Sequence, residues 1–368
     1  MSIEVEALEP TPAGLADFVE LPYRVYRDDA RWIPPFRQVV LHELTGPGMS
    51  EGHEWQCFLA RRDGEPAARA AAIVNPALAP EGRRVGLVGY FEAFDDPEAI
   101  AAVLDAARAW LSERGRGDEV WGPFNHTICH DYRFMTKGFE REVFFGEPYN
   151  PAYYPARWQE CGFAPLAPWS SWDLYEPHLR GMHQAAGAMK VDVWAEGYEY
   201  RPFDLGADFE RDLRHTYDIL LDAFAPNLGF TPLPYSTFVE LYAGMRAFLV
   251  PELAPIVVDP SGAVIGLGFL YPDPGHAIRA LGGDAARAAE LPGLLAATPP
   301  TTLVFHTMAV LKPARRKGMV EAYLERTLGL AFERGIKRGI GALAKQGPTI
   351  YHKTGEPTRE YTLFRLGG

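Results

Sequence analysis

The residues best suited to chemistry lie in one C-terminal run, FHTMAVLKPARRKGMVEAYLERTLGLAFERG. Here an apolar strand-like stretch passes through Lys312 and Pro313 into a basic, glycine-containing turn and then directly into a helical pattern. That is an arrangement for holding phosphate. The first amides of a helix have no intrahelical partner and, together with the helix dipole, they favour an anion. Gly318 allows close backbone approach, while Arg315, Arg316 and Lys317 add positive charge. A second concentration, GPFNHTICHDYRF, gathers Asn125, His126, Cys129, His130 and Asp131 in one loop. All but Asn125 are common metal-ligand types, but the spacing matches no zinc motif. The loop therefore reads as polar structure, or as substrate contacts through Asn125 and His126 at a junction between two units. Asn227, in the turn-forming APNLG, is a third candidate for substrate contact. The aromatic PYNPAYYPARWQECGF, with Tyr149, Tyr153, Tyr154 and Trp158, fits domain packing or a pocket wall. No nucleophile elbow, Walker loop or dinucleotide fingerprint is present, which removes support from hydrolase, NTPase and dehydrogenase readings.

The elements that must position these groups repeat. In the first half, SIEVEALE reads as a strand, a helix follows Thr11 and Pro12 and stops before WIPPF, and EWQCFLARRD, AARAAAIVNP and RVGLVGYFEAF form a meander turning at Asp63 and Gly64. A helix from Pro97 to Arg114 carries Ile100, Val103, Leu104, Ala107 and Leu111 on one face, and EVWGPF, a short helix near 152–161 and APWSSWDLY complete the half. The second half runs in the same order: YEYRPFDL, helices over 208–224 and 235–248, a hairpin at Ser261 and Gly262, TTLVFHTMAVL, the long helix, IGALAKQ, a short helix and REYTLFRL. Two matching orders in one chain point to a duplicated fold, joined between Pro177 and Tyr198.

Composition bounds the partners. The chain has 368 residues, enough for two cores, with 47% hydrophobic residues and a formal charge of -12. Net negative charge opposes binding to nucleic acid or anionic membrane. No stretch approaches the roughly 20 apolar residues of a transmembrane segment and the first residues lack a signal-peptide pattern, so a cytoplasmic location is expected. Cys57, Cys129 and Cys161, odd in number and widely spaced, read as reduced thiols.

RRKGMV resembles the Gln/Arg-x-x-Gly-x-Gly/Ala pyrophosphate loop of the GNAT (acyl-CoA N-acyltransferase) superfamily, matching at Arg315 and Gly318 and carrying Val320 where the family has a small residue. YHKTG, from Tyr351 to Gly355, is similar to the family's Tyr-x-Lys-x-Gly segment, with Ala344 where asparagine is common. FVELPYRVYRDDARWIPPF, GPFNHTICHDYRF and YDILLDAFAPNLGF resemble segments of long, two-unit GNAT-like bacterial proteins. The resemblance implies an α/β (α+β mixed-sheet), tandem duplicated GNAT-like fold, with a degenerate unit over 1–180 and a second unit over 195–368 that carries the pyrophosphate loop. It also implies acetyl-CoA or a longer acyl-CoA as cosubstrate, held by Arg315, Arg316, Lys317, Gly318, Met319 and Val320, with its thioester polarised by strand amides from Met308 to Val310. No metal is implied. The acceptor would be the amine of a small molecule or amino lipid. Tyr351 would protonate the departing thiolate. Some relatives carry a glutamate at the position of Val304; alternation along a strand sets Val304, His306 and Met308 on one face, which makes His306 the candidate base. In the first half GYFEAF leads into DDPEAI, which lacks glycine and carries acids, so that unit should wall the substrate cleft rather than bind CoA. Val320 and Ala344 sustain two rivals: an enzyme of this fold that has lost CoA dependence and acts on another small molecule in specialised metabolism, and a noncatalytic ligand-binding protein.

Overall fold

A computed structural model describes residues 2–47, 50–189, 193–312, 315, 318–345, 347 and 349–368. The first half contains β1 (Ile3–Ala7), α1 (Ala16–Val25), α2 (Arg37–Thr45), β2 (Glu54–Arg62), β3 (Glu65–Val74), β4 (Gly86–Ala93), α3 (Pro97–Glu113), β5 (Glu119–Gly122), β6 (Phe134–Lys137), α4 (Tyr154–Glu160) and β7 (Ala164–Tyr175). After α5 (Glu176–Ala188), the second half contains β8 (Glu199–Arg201), α6 (Phe209–Phe224), α7 (Tyr235–Tyr242), β9 (Ile256–Val258), β10 (Val264–Pro272), α8 (Gly275–Leu281), α9 (Leu291–Ala297), β11 (Thr302–Val310), α10 (Met319–Glu333), β12 (Arg338–Lys345) and β13 (Arg359–Gly367). The elements β6, α5, α8 and α9 were not expected from sequence.

Local chemistry accounts for the boundaries. Asp63 and Gly64, both at positive φ (50° and 87°), make the tight β2–β3 hairpin. Thr11 does not cap α1 directly: its Oγ1 accepts the Gly14 amide at 3.1 Å in a turn that precedes the helix. Asp96 caps α3 by accepting the Ala99 amide at 3.1 Å, and Pro97 occupies the first turn. The predicted apolar face of α3 is buried against the alanine-rich β3, where small side chains let helix and sheet approach closely.

All thirteen described strands join one sheet, in the order β1-β2-β3-β4-β5-β13-β7-β12-β11-β10-β9-β8, with β6 beside β13. Two parallel pairs, β4 with β5 and β11 with β12, each bracket a crossover helix, α3 and α10 respectively. The closing strands are exchanged. β13, the last strand of the second half, pairs antiparallel with β5 of the first half, while β7, the last strand of the first half, pairs antiparallel with β12 of the second. The two meet each other at the centre, Tyr361 opposite Trp169. A buried ionic knot ties this seam. Arg359 Nη1 donates to Asp173 at 2.8 Å and its Nη2 donates to the Glu142 carbonyl at 3.0 Å. Its Nε lies 2.9 Å from Glu147 Oε1, an ion-pair distance without hydrogen-bond alignment. Burial alone would raise Asp173, but Arg359, Arg141 and Arg338 together hold its carboxyl below the usual range.

Each parallel pair is short. β4 and β5 are paired only at Gly86–Val120 and Leu87–Trp121, and β11 and β12 only from Thr302–Arg338 to Phe305–Gly341. Beyond those points the strands part. Bulges mark the same place in both halves: Tyr90 and Phe91 of β4 stand opposite Ala70 alone, and His306 of β11 is the extra residue opposite the Phe269–Leu270 step.

Candidate functional site

At the start of α10, Gly318 takes φ 71°, and the first helical amide bond runs from Ala322 to the Gly318 carbonyl at 3.0 Å. Such a conformation strains any L side chain, so a glycine is needed here. Arg315 Nε donates to the Val310 carbonyl at 2.6 Å, folding the side chain back onto the end of β11. Arg316 and Lys317 lie outside the described residues. Met319 is buried beside Val193 and Val257, and Val320 packs against the cluster formed by Trp172, Tyr323 and Leu324. The matching corner of the first half is filled by its own acids. Asp96 caps α3 and, with Glu98, pairs with Arg62, while Asp95 pairs with Arg157 at 2.7 Å. An incoming phosphate there would meet three carboxylates and no free guanidinium from either of those arginines.

The bulge at His306 reverses the phase of β11. Leu303 and Phe305 face the α10 side, Val304 and His306 the α6–α7 side; past the extra residue, Thr307 joins His306 while Met308 turns to the α10 side. The expectation that Val304, His306 and Met308 share a face is therefore corrected: strict alternation does not survive an inserted residue. Tyr351 is on the α10 side with Met308. Its ring lies 6.2 Å from Phe305 and covers Gly341, where a Cβ would come within 2.8 Å of the ring, and burial raises its phenol well above the usual value. His306 is surrounded by protein on the opposite side. Burial, helped by nearby Arg133, lowers its pKa to about 4, and Nδ1 sits 2.9 Å from Thr307 Oγ1. The two predicted catalytic side chains thus flank the parted strands from opposite faces. On the His306 face an apolar pocket lined by Phe203, Leu213, Phe238, Met245 and Phe269 encloses about 30 Å³, room for a water or two.

A far larger cavity, about 530 Å³, lies between the halves, lined by the α1–α2 connection, β4, the loop after β5 and residues of α7, α8 and α9. Its polar side carries Glu43 from α2, Glu92 from β4, Asp131 and Arg133 from the loop, and Arg69 from β3. Burial raises both Glu43 and Glu92 to about 7, and the two feel repulsion from Asp131, itself raised by burial. Glu43 accepts from the Tyr90 hydroxyl and Glu92 from the Tyr154 hydroxyl, each at 2.8 Å. Met245 lines both this cavity and the small pocket at His306.

The other sequence candidates separate. Asn125 lines the cavity, where its Oδ1 accepts the Tyr90 amide at 2.6 Å and so fixes the β4 bulge. His126 is buried behind it at φ 56°, with Nδ1 3.3 Å from His53 Nε2; burial, then the charges of His130 and His53, push its pKa well down. Asn227 lies in an exposed turn outside both cavities, its amide bonded to the Phe224 carbonyl at 2.8 Å. Among the described residues no group of three or more His, Cys, Asp or Glu is arranged to hold a metal, and no helix is long and apolar enough to cross a membrane. Sequence reasoning passed over Glu43, Arg69, Glu92 and Arg133. The signal for two of them was a charge inside a buried strand, the arginine in AARAAAIV and the glutamate in GYFEAF.

No family model matches the chain. It is 29% identical over 282 residues to a bacterial ceramide synthase of Caulobacter vibrioides, covering 74% of this chain and 71% of that protein. It is 25% identical over 265 residues to Protein YghO of Escherichia coli, covering 69% and 65% respectively. Among solved structures, a tandem GNAT protein from the clavulanic acid biosynthesis pathway, solved without AcCoA, superposes over 99% of this chain and 98% of its own with TM-score 0.58 and 11% identity. A GCN5-related N-acetyltransferase from Sphaerobacter thermophilus does so over 99% and 95% with TM-score 0.50 and 15% identity. With paired crossover units, parted parallel strands and bulges in register between its halves, the chain has the tandem GNAT fold.

Proposed function

We propose that this chain transfers an acyl group from acyl-CoA to the amine of a small molecule or an amino lipid. One observation carries the reading: where β11 leaves β12, the start of α10 and Tyr351 lie on one face, while His306 and the cavities lie on the other. A thioester donor can then approach from the α10 side and an amine from the α6–α7 side, meeting in the gap. The Gly318 corner and Arg315 would hold pyrophosphate, and amides from Met308 to Val310 would polarise the thioester carbonyl. The amine nitrogen bonds to the carbonyl carbon, the carbon–sulfur bond breaks, a water or His306 takes the amine proton and Tyr351 supplies one to the thiolate. With its pKa lowered to about 4, His306 is a weak acceptor, which favours the water. A ceramide is an N-acylated amino lipid, so the relative of that name supports amide formation and an amphiphilic acceptor.

Calorimetry with acetyl-CoA and longer acyl-CoAs tests the donor side. Micromolar binding, abolished by Gly318→Asp, is the expected result, because the variant adds both strain at φ 71° and a negative charge at the phosphate corner. Absence of binding by any acyl-CoA would refute the transferase reading and leave the fold in other service.

A further inference from the structure

The cavity between the halves has a chemistry that neither the fold nor its motifs assign. Five carboxylate residues line it; Glu147 pairs with Arg359 and Glu240 with His42, while Glu43, Glu92 and Asp131 reach it from three separate elements, and Asp131 repels both glutamates. Arg69 stands near Glu92, and Arg133 near Asp131, but neither arginine forms a hydrogen bond with a cavity carboxylate among the described residues. The Asp131 carboxylate makes no side-chain hydrogen bond there at all. Asp131 is exposed and lines the cavity. Arg69 and Arg133 belong to the same wall, and one nitrogen of each, Nε and Nη1 respectively, is buried away from the cavity without an acceptor. Carboxylates gathered around one cavity favour a cation that offsets their mutual repulsion. The opposite wall is apolar, built from Trp32, Ile33, Phe36, Phe145, Phe248 and Ile278. At about 530 Å³ the cavity is the size of an ordinary small-molecule site.

We propose that this chamber binds an amphiphilic primary amine, with Glu43, Glu92 and Asp131 receiving the ammonium and the aromatic wall covering a hydrocarbon chain. The first half, which lacks a phosphate corner, thereby supplies the receptor for the acceptor amine. The assignment of that amine as acceptor rests on the transferase reading, while the binding itself does not. Met245 lines both this chamber and the pocket at His306 on the acceptor face of β11. Carboxylates outnumber the unpaired guanidinium groups, which disfavours an anionic ligand.

Dodecylamine and 1-dodecanol, titrated separately into the full chain without any CoA, test this. The amine should bind at least ten-fold tighter than the alcohol, and Asp131→Asn and Glu43→Gln should each weaken the amine about ten-fold and leave the alcohol unchanged. Should either variant fold poorly, wild-type calorimetry in buffers of different ionisation enthalpy gives a second reading. Near pH 7 the amine must expel protons from the chamber carboxyls, so the apparent enthalpy should depend on the buffer. Equal affinity for amine and alcohol, unaltered amine affinity in both variants, or amine binding without proton release would each overturn the proposal. The two readings fail separately. Acyl-CoA binding sensitive to Gly318→Asp but no amine binding refutes only the chamber, whereas amine binding without acyl-CoA binding refutes only the transferase.

Discussion

Replacing Glu43 by glutamine removes a charge that the fold makes costly to form. The carboxyl is enclosed between α2 and β4, and burial lifts its pKa from 4.5 to about 7, outweighing the hydrogen bond from Tyr90, with Asp131 adding repulsion. In the unfolded chain the group ionises at its ordinary pKa, so between about 4.5 and about 7 the folded protein holds more protons. The associated stability is fully present below that window and is lost as the pH rises through it. The gap is worth about 2–3 kcal/mol, the lower end allowing for the part of the carboxyl that faces the cavity. Glutamine is neutral at every pH and keeps a hydrogen-bond acceptor for Tyr90. Urea unfolding should therefore find Glu43→Gln and wild type nearly matched at about pH 4.5, and the variant more stable by about 2–3 kcal/mol at about pH 8.5, with unchanged m-values. Titrating groups that do not interact with Glu43 are common to both proteins and cancel in the difference. A stability difference that is the same at both pH values would refute the reasoning, since it would mean that the carboxyl ionises as freely in the fold as in water.

Two further predictions concern buried charge. Arg359→Met should destabilise the protein by about 3–5 kcal/mol at neutral pH, because it leaves Asp173 and Glu147 without their shared guanidinium; urea midpoints measure this, and a loss below about 1 kcal/mol would dissolve the argument for an ionic seam. His53, lowered by burial to about 4, binds fewer protons folded than unfolded below about pH 6.5, so it should draw stability down as the solution is acidified from there towards pH 4. His53→Gln should shrink the acid-side decline by about 3 kcal/mol, read as the wild-type and variant difference at pH 7 and pH 4. An undiminished decline would show that this histidine is charged in the fold.

Much of the architecture was legible because it is written in local chemistry. The β2–β3 hairpin announces itself through Asp63-Gly64, α3 through its Asp96-Pro97 start and apolar spacing, and α10 through its long apolar face after Gly318. The helices α8 and α9 escaped, since at seven residues each they show less than two full turns of periodicity. Strand partnership escaped for a different reason. An alternating pattern such as that of β13 states which face is buried but not beside whom, so the exchange with β7 has no sequence signature. Tyr351 was a candidate by motif and His306 by alternation along a strand, but their division between two faces depends on a single inserted residue that periodicity cannot register. The chamber was harder still. Glu43 sits on a weakly amphipathic helix and reads as a surface acid, and only the approach of α2, β4 and the loop after β5 reveals that three acids share one enclosure.

Reciprocal strand donation makes the two halves mutually obligate. Severed between α5 and β8, the N-terminal piece would keep β7 but lose the strand that lies beside its β5, and the C-terminal piece would keep β13 but lose the one beside its β12. Neither fragment could satisfy its own backbone edge without the other. Inheritance of the pair is thereby locked: a half whose corner before α3 is filled by its own acids cannot be discarded, because it still lends its partner a staple.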